Sequence, residues 1–392
     1  MYDFDFCVDT NFIFGRGAQA RIGAELAKIG ASRVLIHHDS GRFLTETGLL
    51  QGICEDLQKH NIAYAELGGV KPNPRLTLIH QGIDLAREEK IDFVLAIGGG
   101  SVIDSAKAIA AGALYSGDVW DFYTQNLPVQ AALSIGVLLT NPATSSESNG
   151  TSMVNNEEKG EKRMLITPYI RPKIAFMNPE LTFSIPRFVT ACSITDMFSH
   201  VCERYFSPDE EIGVTDRMEE GVLKTLLDIG PKLMEEPGDY FLRANAMWIG
   251  TIAHNNTLSV GRRTDWATHL LGNELSALYD TPHAATLSII MGSWMRYVYK
   301  QKPLRFARYA KEVFGINWDG QNTLQAAQEG IEATEAFFKS MGMPVSFADY
   351  KVPTDAVEDM LDRIPFEGED ASIGGIVRLS RADAKVIFEM AF

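Results

Sequence analysis

The stretch FVLAIGGGSVIDSAK, residues 93–107, decides the fold. Its first five residues, FVLAI (93–97), are apolar and predict a buried strand, and Gly98, Gly99 and Gly100 lead directly into a helical pattern that opens at Ser101. The first turn of a helix offers free backbone N–H groups and the positive end of the helix dipole, which suit a phosphate. Glycines let a ligand approach the backbone closely. We therefore predict that this loop binds the pyrophosphate of a nucleotide cofactor.

Further apolar runs lie on both sides of this stretch. They predict strands at 33–39, 61–67 and 134–140, separated by helical patterns over 43–59 and 74–90. Continuous apolar strands that alternate with helices are typical of a parallel sheet covered on both faces. We therefore expect the first half of the chain to form a doubly wound α/β nucleotide-binding domain.

Two other loops are relevant to the nucleotide site: one would contribute to it, and the other is an alternative place for it. The polar loop TNPATSSESNG (140–150) follows the strand 134–140, and neighbouring strand ends of a parallel sheet share the edge where ligands bind. Two polar loops at one edge favour a nucleotide over a bare anion. The segment GRGAQA (15–20) also satisfies G-x-G-x-x-A, but the strand before it is short and partly polar. We interpret it as a tight turn rather than a cofactor loop.

The pattern changes near NPELTFSIP (178–186), after which strand signals nearly vanish. Helices are predicted at 215–236, 238–258, 264–278, 283–299 and 322–341. We therefore divide the chain into an α/β domain, residues 1–183, and an all-α domain, residues 184–392.

Composition excludes several classes of protein. The 392 residues include 51 acidic and 36 basic ones, a net charge of −15, which disfavours nucleic-acid binding. A hydrophobic content of 45% excludes a disordered chain, and we find no apolar run long enough for a membrane span. The acidic start lacks the basic segment of a secretory signal, and four widely spaced cysteines suit reduced thiols. We expect a cytoplasmic enzyme.

Several histidines could hold a metal. The sequence DMFSH places Asp196 and His200 at positions i and i+4 of one helix, and His269 and His283 lie in two later helical segments. One carboxylate and three imidazoles are suitable ligands for iron(II), zinc or a similar cation. Spacing alone leaves open a surface Asp–His pair with two histidines between helices.

Seven motifs occur in order along the chain: FGRG (14–17), GGVKPNP (68–74), GGGSVIDSAK (98–107), LLTNPATSSESNG (138–150), DMFSHVCERYF (196–206), DWATHLLGNEL (265–275) and YDTPHA (279–284). Together they resemble the iron-containing (group III) alcohol dehydrogenases over essentially the whole chain. The resemblance is closest to the butanol dehydrogenase and broad-range aldehyde reductase branch. It implies the dehydroquinate synthase-like architecture of that family.

The resemblance also implies roles for individual residues. It makes Asp196, His200, His269 and His283 the ligands of the divalent metal, and relatives are often homodimers that pair amino-terminal strands, here TNFIF (10–14). With the loop and strand positions above, we assign these residues to the cofactor: Asp39, Gly98, Gly99, Gly100, Ser101, Asp104, Thr140, Thr144 and Lys162. Asn149 and Trp266 are candidates for the lining of the substrate pocket.

The expected reaction is reversible hydride transfer between NAD(P)H and a small primary alcohol or aldehyde such as butanol or butanal. The metal would act as a Lewis acid on the substrate oxygen, with the nicotinamide directed into the cleft between the domains. We expect NAD(H) to be preferred, because Asp39 at a strand end can accept hydrogen bonds from the ribose and repel a 2′-phosphate. Arg42 could attract that phosphate, and Asp39 could instead cap the following helix.

Other functions remain open. By resemblance, glycerol-1-phosphate dehydrogenase and 3-dehydroquinate synthase share the architecture. Their substrates are anionic, so they would need several lysine or arginine side chains near the metal. In this chain the segments that carry the metal ligands contain mainly Arg262 and Arg263. A metal-dependent hydrolase would not bind nicotinamide, and a non-catalytic binding protein would not need four ligands. One position departs from the family pattern: many members carry a proton-relaying histidine four residues after the third ligand, where this chain has Asn273. Since an amide does not titrate near neutrality, the usual relay is in doubt.

Overall fold

The computed structural model of the chain describes residues 1–39, 41–209, 213–279, 281–350, 352–353, 356–366 and 371–392. These residues form two compact units. One comprises Cys7–Phe183, and the other comprises Met1–Phe6 together with Ser184–Phe392.

The unit Cys7–Phe183 is built on a parallel sheet. Its strands, in chain order, are β1 (Asn11–Phe14), β2 (Arg33–Asp39), β3 (Ala63–Val70), β4 (Phe93–Gly99), β5 (Ser134–Asn141) and β8 (Ile174–Met177). The order across the sheet is β1-β8-β5-β4-β2-β3, and every pair is parallel. A separate antiparallel hairpin is formed by β6 (Thr151–Asn156) and β7 (Glu161–Ile166).

Six helices accompany the sheet among the described residues of this unit: α1 (Ile22–Ile29), α2 (Arg42–Glu46), α3 (Leu49–Lys59), α4 (Leu76–Glu88), α5 (Gly100–Ala113) and α6 (Asp121–Thr124). The apolar run of β4 is buried throughout, because helices cover both faces of a doubly wound sheet. Helix α5 is rich in alanine and buried along most of its length. The predicted α/β class is confirmed.

Some elements differ from the sequence-based expectation. The single helical pattern over 43–59 is two helices, α2 and α3, because Gly48 between them has a φ of +71°, in the left-handed region that glycine tolerates. The strand β8 and the hairpin β6–β7 were not predicted. β8 is only four residues long, and the TSMVNN sequence of β6 carries too few apolar residues for a strand signal.

The second unit is helical. Its helices are α7 (Arg187–Tyr205), α8 (Val214–Glu235), α9 (Tyr240–Ile252), α10 (Ala267–Tyr279), α11 (His283–Val298), α12 (Pro303–Phe314), α13 (Thr323–Ser340), α14 (Ala356–Leu361) and α15 (Arg381–Glu389). Most side chains of α7 and α11 are buried, and aromatic residues such as Trp294 and Phe338 belong to the core around them. Within the described ranges, no helix is both long enough and apolar enough to cross a bilayer.

The first six residues pack with the helical unit, although we assigned them to the first domain from the sequence. The backbone N–H of Tyr2 donates to the carbonyl of Gly261 at 2.9 Å, and its hydroxyl donates to Asp209 at 3.0 Å. The guanidinium of Arg263 lies 5.2 Å from the centre of the Tyr2 ring. Such contacts link residues some 200 positions apart and leave no local signal in the sequence.

Candidate functional site

The four predicted metal ligands lie together in the helical unit. Helix α7 places Asp196 and His200 on one face, α10 supplies His269, and α11 begins at His283. Ligand atoms of Asp196, His200 and His269 all lie within 4.8 Å of one another. His283 is next to them, with its Nε2 atom 3.7 Å from the Oδ1 atom of Asp196. Helix α7 and the consecutive helices α10 and α11 thus bring one carboxylate and three imidazoles together.

The chemistry of this cluster fits a divalent cation. Asp196 Oδ1, His200 Nδ1 and His269 Nε2 are buried and have no hydrogen-bond partner among the described residues. Buried polar atoms without a partner are costly, whereas lone pairs directed at one point suit a metal. Burial raises the pKa of Asp196 to about 8 and lowers the pKa of His269 to about 3. Neutral imidazoles are ready ligands, and a bound cation would restore the charge of the carboxylate.

A residue that we did not identify from the sequence orients one ligand. Glu203, buried on α7, accepts hydrogen bonds from His269 Nδ1 at 3.0 Å and from the backbone N–H groups of His269 and Trp266 at 3.0 and 2.7 Å. The hydroxyl of Thr268 donates to the same carboxylate. Because Nδ1 donates its proton to Glu203, the lone pair of His269 is on Nε2, which faces the cluster. The only sequence signal was an acid one turn after His200 on a buried helix.

We expect Glu203→Gln to weaken metal binding by about 10- to 100-fold, the usual effect of losing a carboxylate behind a ligating histidine. An amide has one oxygen, so it cannot accept from all four donors, and His269 would lose its fixed tautomer. Metal affinity is measured by competition with a chromophoric chelator. The matched control is Glu220→Gln, since Glu220 is also buried in this unit but is paired with Arg308. Unchanged affinity in Glu203→Gln would contradict the role of this carboxylate.

Trp266, predicted to line the substrate pocket, lies against the ligand cluster. Its φ is +69°, a strained conformation for a bulky residue, and such strain is found mainly where surrounding contacts impose it. The indole N–H donates to Thr264 at 2.8 Å, and the ring centre lies 5.1 Å from that of His269 and 6.1 Å from that of His200. Trp266 therefore forms one wall beside the imidazoles, and its contact with substrate stays a prediction.

His254 was also not identified from the sequence as a neighbour of the cluster. Its ring stacks on that of His200 with centroids 4.3 Å apart. The guanidinium of Arg204 donates to His254 Nδ1, to the carbonyl of His200 at 2.7 Å and to Ser259 Oγ at 2.8 Å. Since an arginine can only donate, Nδ1 of His254 is an acceptor. Arg204 thus fixes the orientation of the ring that packs on a ligand.

Most predicted cofactor residues lie along one edge of the parallel sheet. The carboxyl ends of the adjacent strands β2, β4 and β5 carry Asp39, Gly98 with Gly99, and Thr140. Helix α5 then begins at Gly100, with Ser101 in its first turn. A Cβ atom at Gly100 would lie only 2.6 Å from Thr144 Oγ1, so glycine allows the two polar loops to touch. The arrangement leaves the first turn of α5 beside two loops at one edge, as a phosphate site requires.

The competing GRGAQA segment lies elsewhere in the sheet. It follows β1, which is an edge strand, and β8 and β5 separate it from β4. Gly17 has a φ of +70° and precedes a short 3-10 helix. The geometry agrees with our interpretation of this segment as a tight turn.

Two of the predicted cofactor residues also have structural partners. Lys162 donates to Asn73 Oδ1 at 3.0 Å. Asp104 accepts from Ser146 Oγ at 2.5 Å and from the backbone N–H of Met153 at 3.0 Å. Their contacts with the cofactor stay predictions.

The amide of Asn149, predicted to line the substrate pocket, is engaged within its own loop. Its oxygen accepts from Lys107 Nζ at 2.9 Å and from the backbone N–H of Thr151 at 3.0 Å, and its nitrogen donates to the carbonyl of Thr144 at 3.2 Å. These contacts give Asn149 a structural role, and contact with substrate stays untested.

Asp39 is placed at the end of β2, as predicted. Its Oδ1 atom accepts from the backbone N–H of Gly41 at 2.9 Å, just before α2 begins at Arg42. The Oδ1 atom of Asp39 therefore stabilises the turn that leads into α2, which is close to the capping role considered from the sequence as the alternative to ribose binding. Ser40, between these residues, lies outside the described residues.

Comparison with known proteins identifies the class. The family profile described as iron-containing alcohol dehydrogenase matches residues 9–179, and the carboxyl-terminal profile of the Fe-containing alcohol dehydrogenase family matches residues 190–375. The chain therefore belongs to the iron-containing alcohol dehydrogenase family. This confirms the predicted family, fold class and type of enzyme, an alcohol dehydrogenase or aldehyde reductase that uses NAD(P)H.

Individual relatives differ in coenzyme. A probable NADH-dependent butanol dehydrogenase of Bacillus subtilis is 38% identical over 389 residues, covering 99% of both chains. The NADPH-dependent aldehyde reductase YqhD of Escherichia coli is 33% identical and covers 94% of both chains. The crystal structure of an NADH-dependent butanol dehydrogenase A from Thermotoga maritima matches with a TM-score of 0.93 at 37% identity, covering 100% of this chain and 99% of that one.

Proposed function

We propose that this protein transfers a hydride reversibly between NADH and a small primary alcohol or aldehyde, with butanol and butanal as representative substrates. The observation that carries the proposal is the buried cluster of Asp196, His200 and His269, whose ligand atoms have no hydrogen-bond partner among the described residues. The naming of two similar proteins as NADH-dependent butanol dehydrogenases supports the choice of substrate and coenzyme.

In this proposal Asp196, His200, His269 and His283 hold the divalent metal, iron(II) or zinc. The metal, when bound, polarises the oxygen of the substrate as a Lewis acid. Glu203 keeps the Nε2 lone pair of His269 directed at the cluster, so the site is organised before substrate arrives. The hydride chemistry itself belongs to the nicotinamide.

The cofactor is proposed to bind along the edge formed by β2, β4 and β5. Backbone N–H groups of the first turn of α5 would donate to the pyrophosphate, and Gly99 leaves room for its approach. Ser101 and Thr144 add hydroxyl groups beside this turn, Asp104 lies one turn after Ser101 on α5, and Lys162 is on β7 of the hairpin. Asn273 cannot replace a titrating histidine, so we assign the proton step to no side chain of this chain.

The charges around the metal segments favour a neutral substrate over the anionic substrates of relatives with the same architecture. Arg262 is paired with Asp216 at 3.0 Å and with Glu219, and Arg263 is paired with Asp209 at 3.0 Å. Cations already neutralised by carboxylates bind a substrate phosphate or carboxylate poorly. This observation supports an alcohol or aldehyde as substrate.

The proposal is tested with a panel of aldehydes, assayed with NADH and with NADPH, on protein reconstituted separately with iron(II) and zinc. We expect the highest kcat/KM for short-chain aldehydes such as butanal, with NADH, in metal-loaded protein. Nicotinamide binding without any reductase or dehydrogenase activity would refute the enzyme assignment. Metal-dependent hydrolysis without nicotinamide binding would favour a hydrolase.

We expect Asp39→Gly to shift coenzyme selectivity toward NADPH. The carboxylate lies at the strand end, where it would meet a 2′-phosphate as a like charge, and such juxtapositions cost several kcal/mol. The measured quantity is the ratio of kcat/KM for NADH to that for NADPH, which we expect to fall by about tenfold or more, since about 1.4 kcal/mol is tenfold. Arg42→Ala is the matched control, because it also removes one charge beside this turn but leaves Asp39 in place. A wild type that prefers NADPH, or a ratio unmoved in Asp39→Gly, would contradict the assignment of NAD(H).

We also propose that the protein acts as a cytoplasmic homodimer. All four cysteines are free thiols, as a reducing compartment favours. Strand β1 is the outermost strand on one side of the sheet and carries the exposed Phe14, which supports this strand as the place where a second copy pairs. Sedimentation velocity would test the dimer.

A further inference from the structure

A lysine is wholly buried beside the proposed cofactor loop. Lys107 is on α5 with a side-chain exposure of 0%, among alanine, valine and isoleucine residues. Its Nζ atom donates to Ser146 Oγ at 2.7 Å, Asn149 Oδ1 at 2.9 Å and the carbonyl of Thr151 at 2.7 Å. Three N–H groups thus meet three acceptors, as a buried ammonium requires. Asp104, at 3.9 Å, is its nearest carboxylate partner.

All three acceptors belong to one segment, residues 144–151, which we call the 144–151 loop. This loop contains a strained residue: Ser145 is buried and has a φ of +54°, which is uncommon for serine. Strain of this kind persists only where surrounding contacts hold it. The hydroxyl of the next residue, Ser146, accepts a hydrogen bond from Lys107 and donates one to Asp104 at 2.5 Å. Two charged residues of α5 therefore fix the strained turn to the helix.

The same loop borders the first turn of α5. Thr144 lies so close to Gly100 that a Cβ atom there would be 2.6 Å from its hydroxyl oxygen. At its other end, Thr151 opens the strand β6 of the hairpin. Lys107 is therefore placed to fix the distance between the loop and the first turn of α5, where the pyrophosphate is proposed to bind, without lying at the edge itself.

We propose that Lys107 is a positioning residue that holds the 144–151 loop in its cofactor-binding shape and thereby sets the affinity for the nicotinamide dinucleotide. The inference rests on the proposed binding of the cofactor at this edge. An apolar side chain of similar length would fill the space but leave Ser146, Asn149 and Thr151 without their donor. The loop would then leave its strained shape for part of the time, and the apparent Kd would rise in inverse proportion to the fraction of molecules whose loop stays competent.

The first test is Lys107→Met in the full-length, metal-loaded protein. We expect the Kd for NADH, measured by fluorescence titration well below the melting temperature, to rise about tenfold, as when about one loop in ten remains competent. At saturating NADH, kcat should stay within about twofold of wild type, because cofactor binding then restores the loop. A loss of kcat with unchanged Kd would overturn the proposal.

Two serines of α5 and the loop provide a matched pair. Ser146 and Ser105 are both buried, but the hydroxyl of Ser146 accepts a hydrogen bond from Lys107, whereas the hydroxyl of Ser105 is hydrogen-bonded to His37 Nε2 at 2.8 Å. We expect Ser146→Ala to weaken NADH binding and Ser105→Ala not to. Lys107→Met combined with Ser146→Ala should be less than additive, since the two residues act through one contact.

The outcomes separate this inference from the proposed function. Wild-type NADH affinity in Lys107→Met, or in Ser146→Ala if Lys107→Met does not fold, would overturn the role of Lys107. Equal weakening in Ser105→Ala and Ser146→Ala would also overturn it, since the effect would then be general. If Gly99→Val leaves NADH affinity unchanged as well, the proposed cofactor edge itself is wrong. If Gly99→Val weakens binding and the Lys107 and Ser146 variants do not, only the present inference fails.

Discussion

Replacement of His269 by alanine is expected to abolish turnover while leaving NADH affinity within about twofold of wild type. The reason is that the two sites lie in different units. The helical unit carries the four proposed metal ligands, and the α/β unit carries the edge of the sheet where the cofactor is proposed to bind. Polarisation of the substrate oxygen by a metal is worth several kcal/mol, so we expect a loss of at least about a thousandfold in kcat.

Three measurements on the same preparations test this prediction: metal content, NADH affinity by fluorescence, and steady-state rate. His80→Ala is the control, because His80 is partly exposed, lies in the other unit and forms an ion pair with Asp118 at 3.0 Å. Normal activity in a His269→Ala protein that retains no metal would refute the metal-dependent mechanism.

The second large effect is expected for Gly99→Val, which should weaken NADH binding by at least about a hundredfold while leaving metal content unchanged. The added carbons would occupy the space in which the backbone meets the pyrophosphate, and losing two charge-assisted hydrogen bonds costs about 3 kcal/mol or more. Gly99 is the suitable position of the three. A Cβ atom there would meet its nearest neighbour, in Asn141, at 3.1 Å, against 2.4 Å at Gly98 and 2.6 Å at Gly100.

The matched control is Gly52→Val, since Gly52 on α3 has open space around it and no unusual φ. Gly17→Val tests the competing loop, and its φ of +70° makes strain certain, so circular dichroism must accompany that variant. If Gly17→Val destroyed NADH affinity in a folded protein and Gly99→Val did not, the cofactor would have to be moved to the edge of the sheet near β1.

Local patterns were sufficient for part of the fold and site. The unit formed by β4, the glycines and α5 could be predicted from the sequence, because a buried strand, a glycine turn and a helix follow one another without interruption. Asp196 and His200 were readable as a pair because they lie one helical turn apart. His269 and His283 joined them only through family resemblance, since no local rule brings three separate helices to one point.

Residues whose role depends on distant partners could not be predicted. Glu203 acts on His269, which is 66 positions away, and Lys107 acts on Ser146, which is 39 positions away. In the sequence, each is only one charged residue within a helical pattern, with no sign of its partner. The structure shows why these two charges are tolerated there: Lys107 donates to three acceptors, and Glu203 accepts from four donors.

The unpartnered lone pairs of Asp196, His200 and His269 have a consequence for the energetics of the whole helical unit. A cation that binds the folded cluster and not the unfolded chain adds its binding free energy to that of folding, about 2.7 kcal/mol at a hundredfold excess over its Kd. The melting temperature is then a property of protein and metal together. A chelator in a purification buffer would act on this enzyme as a mild denaturant.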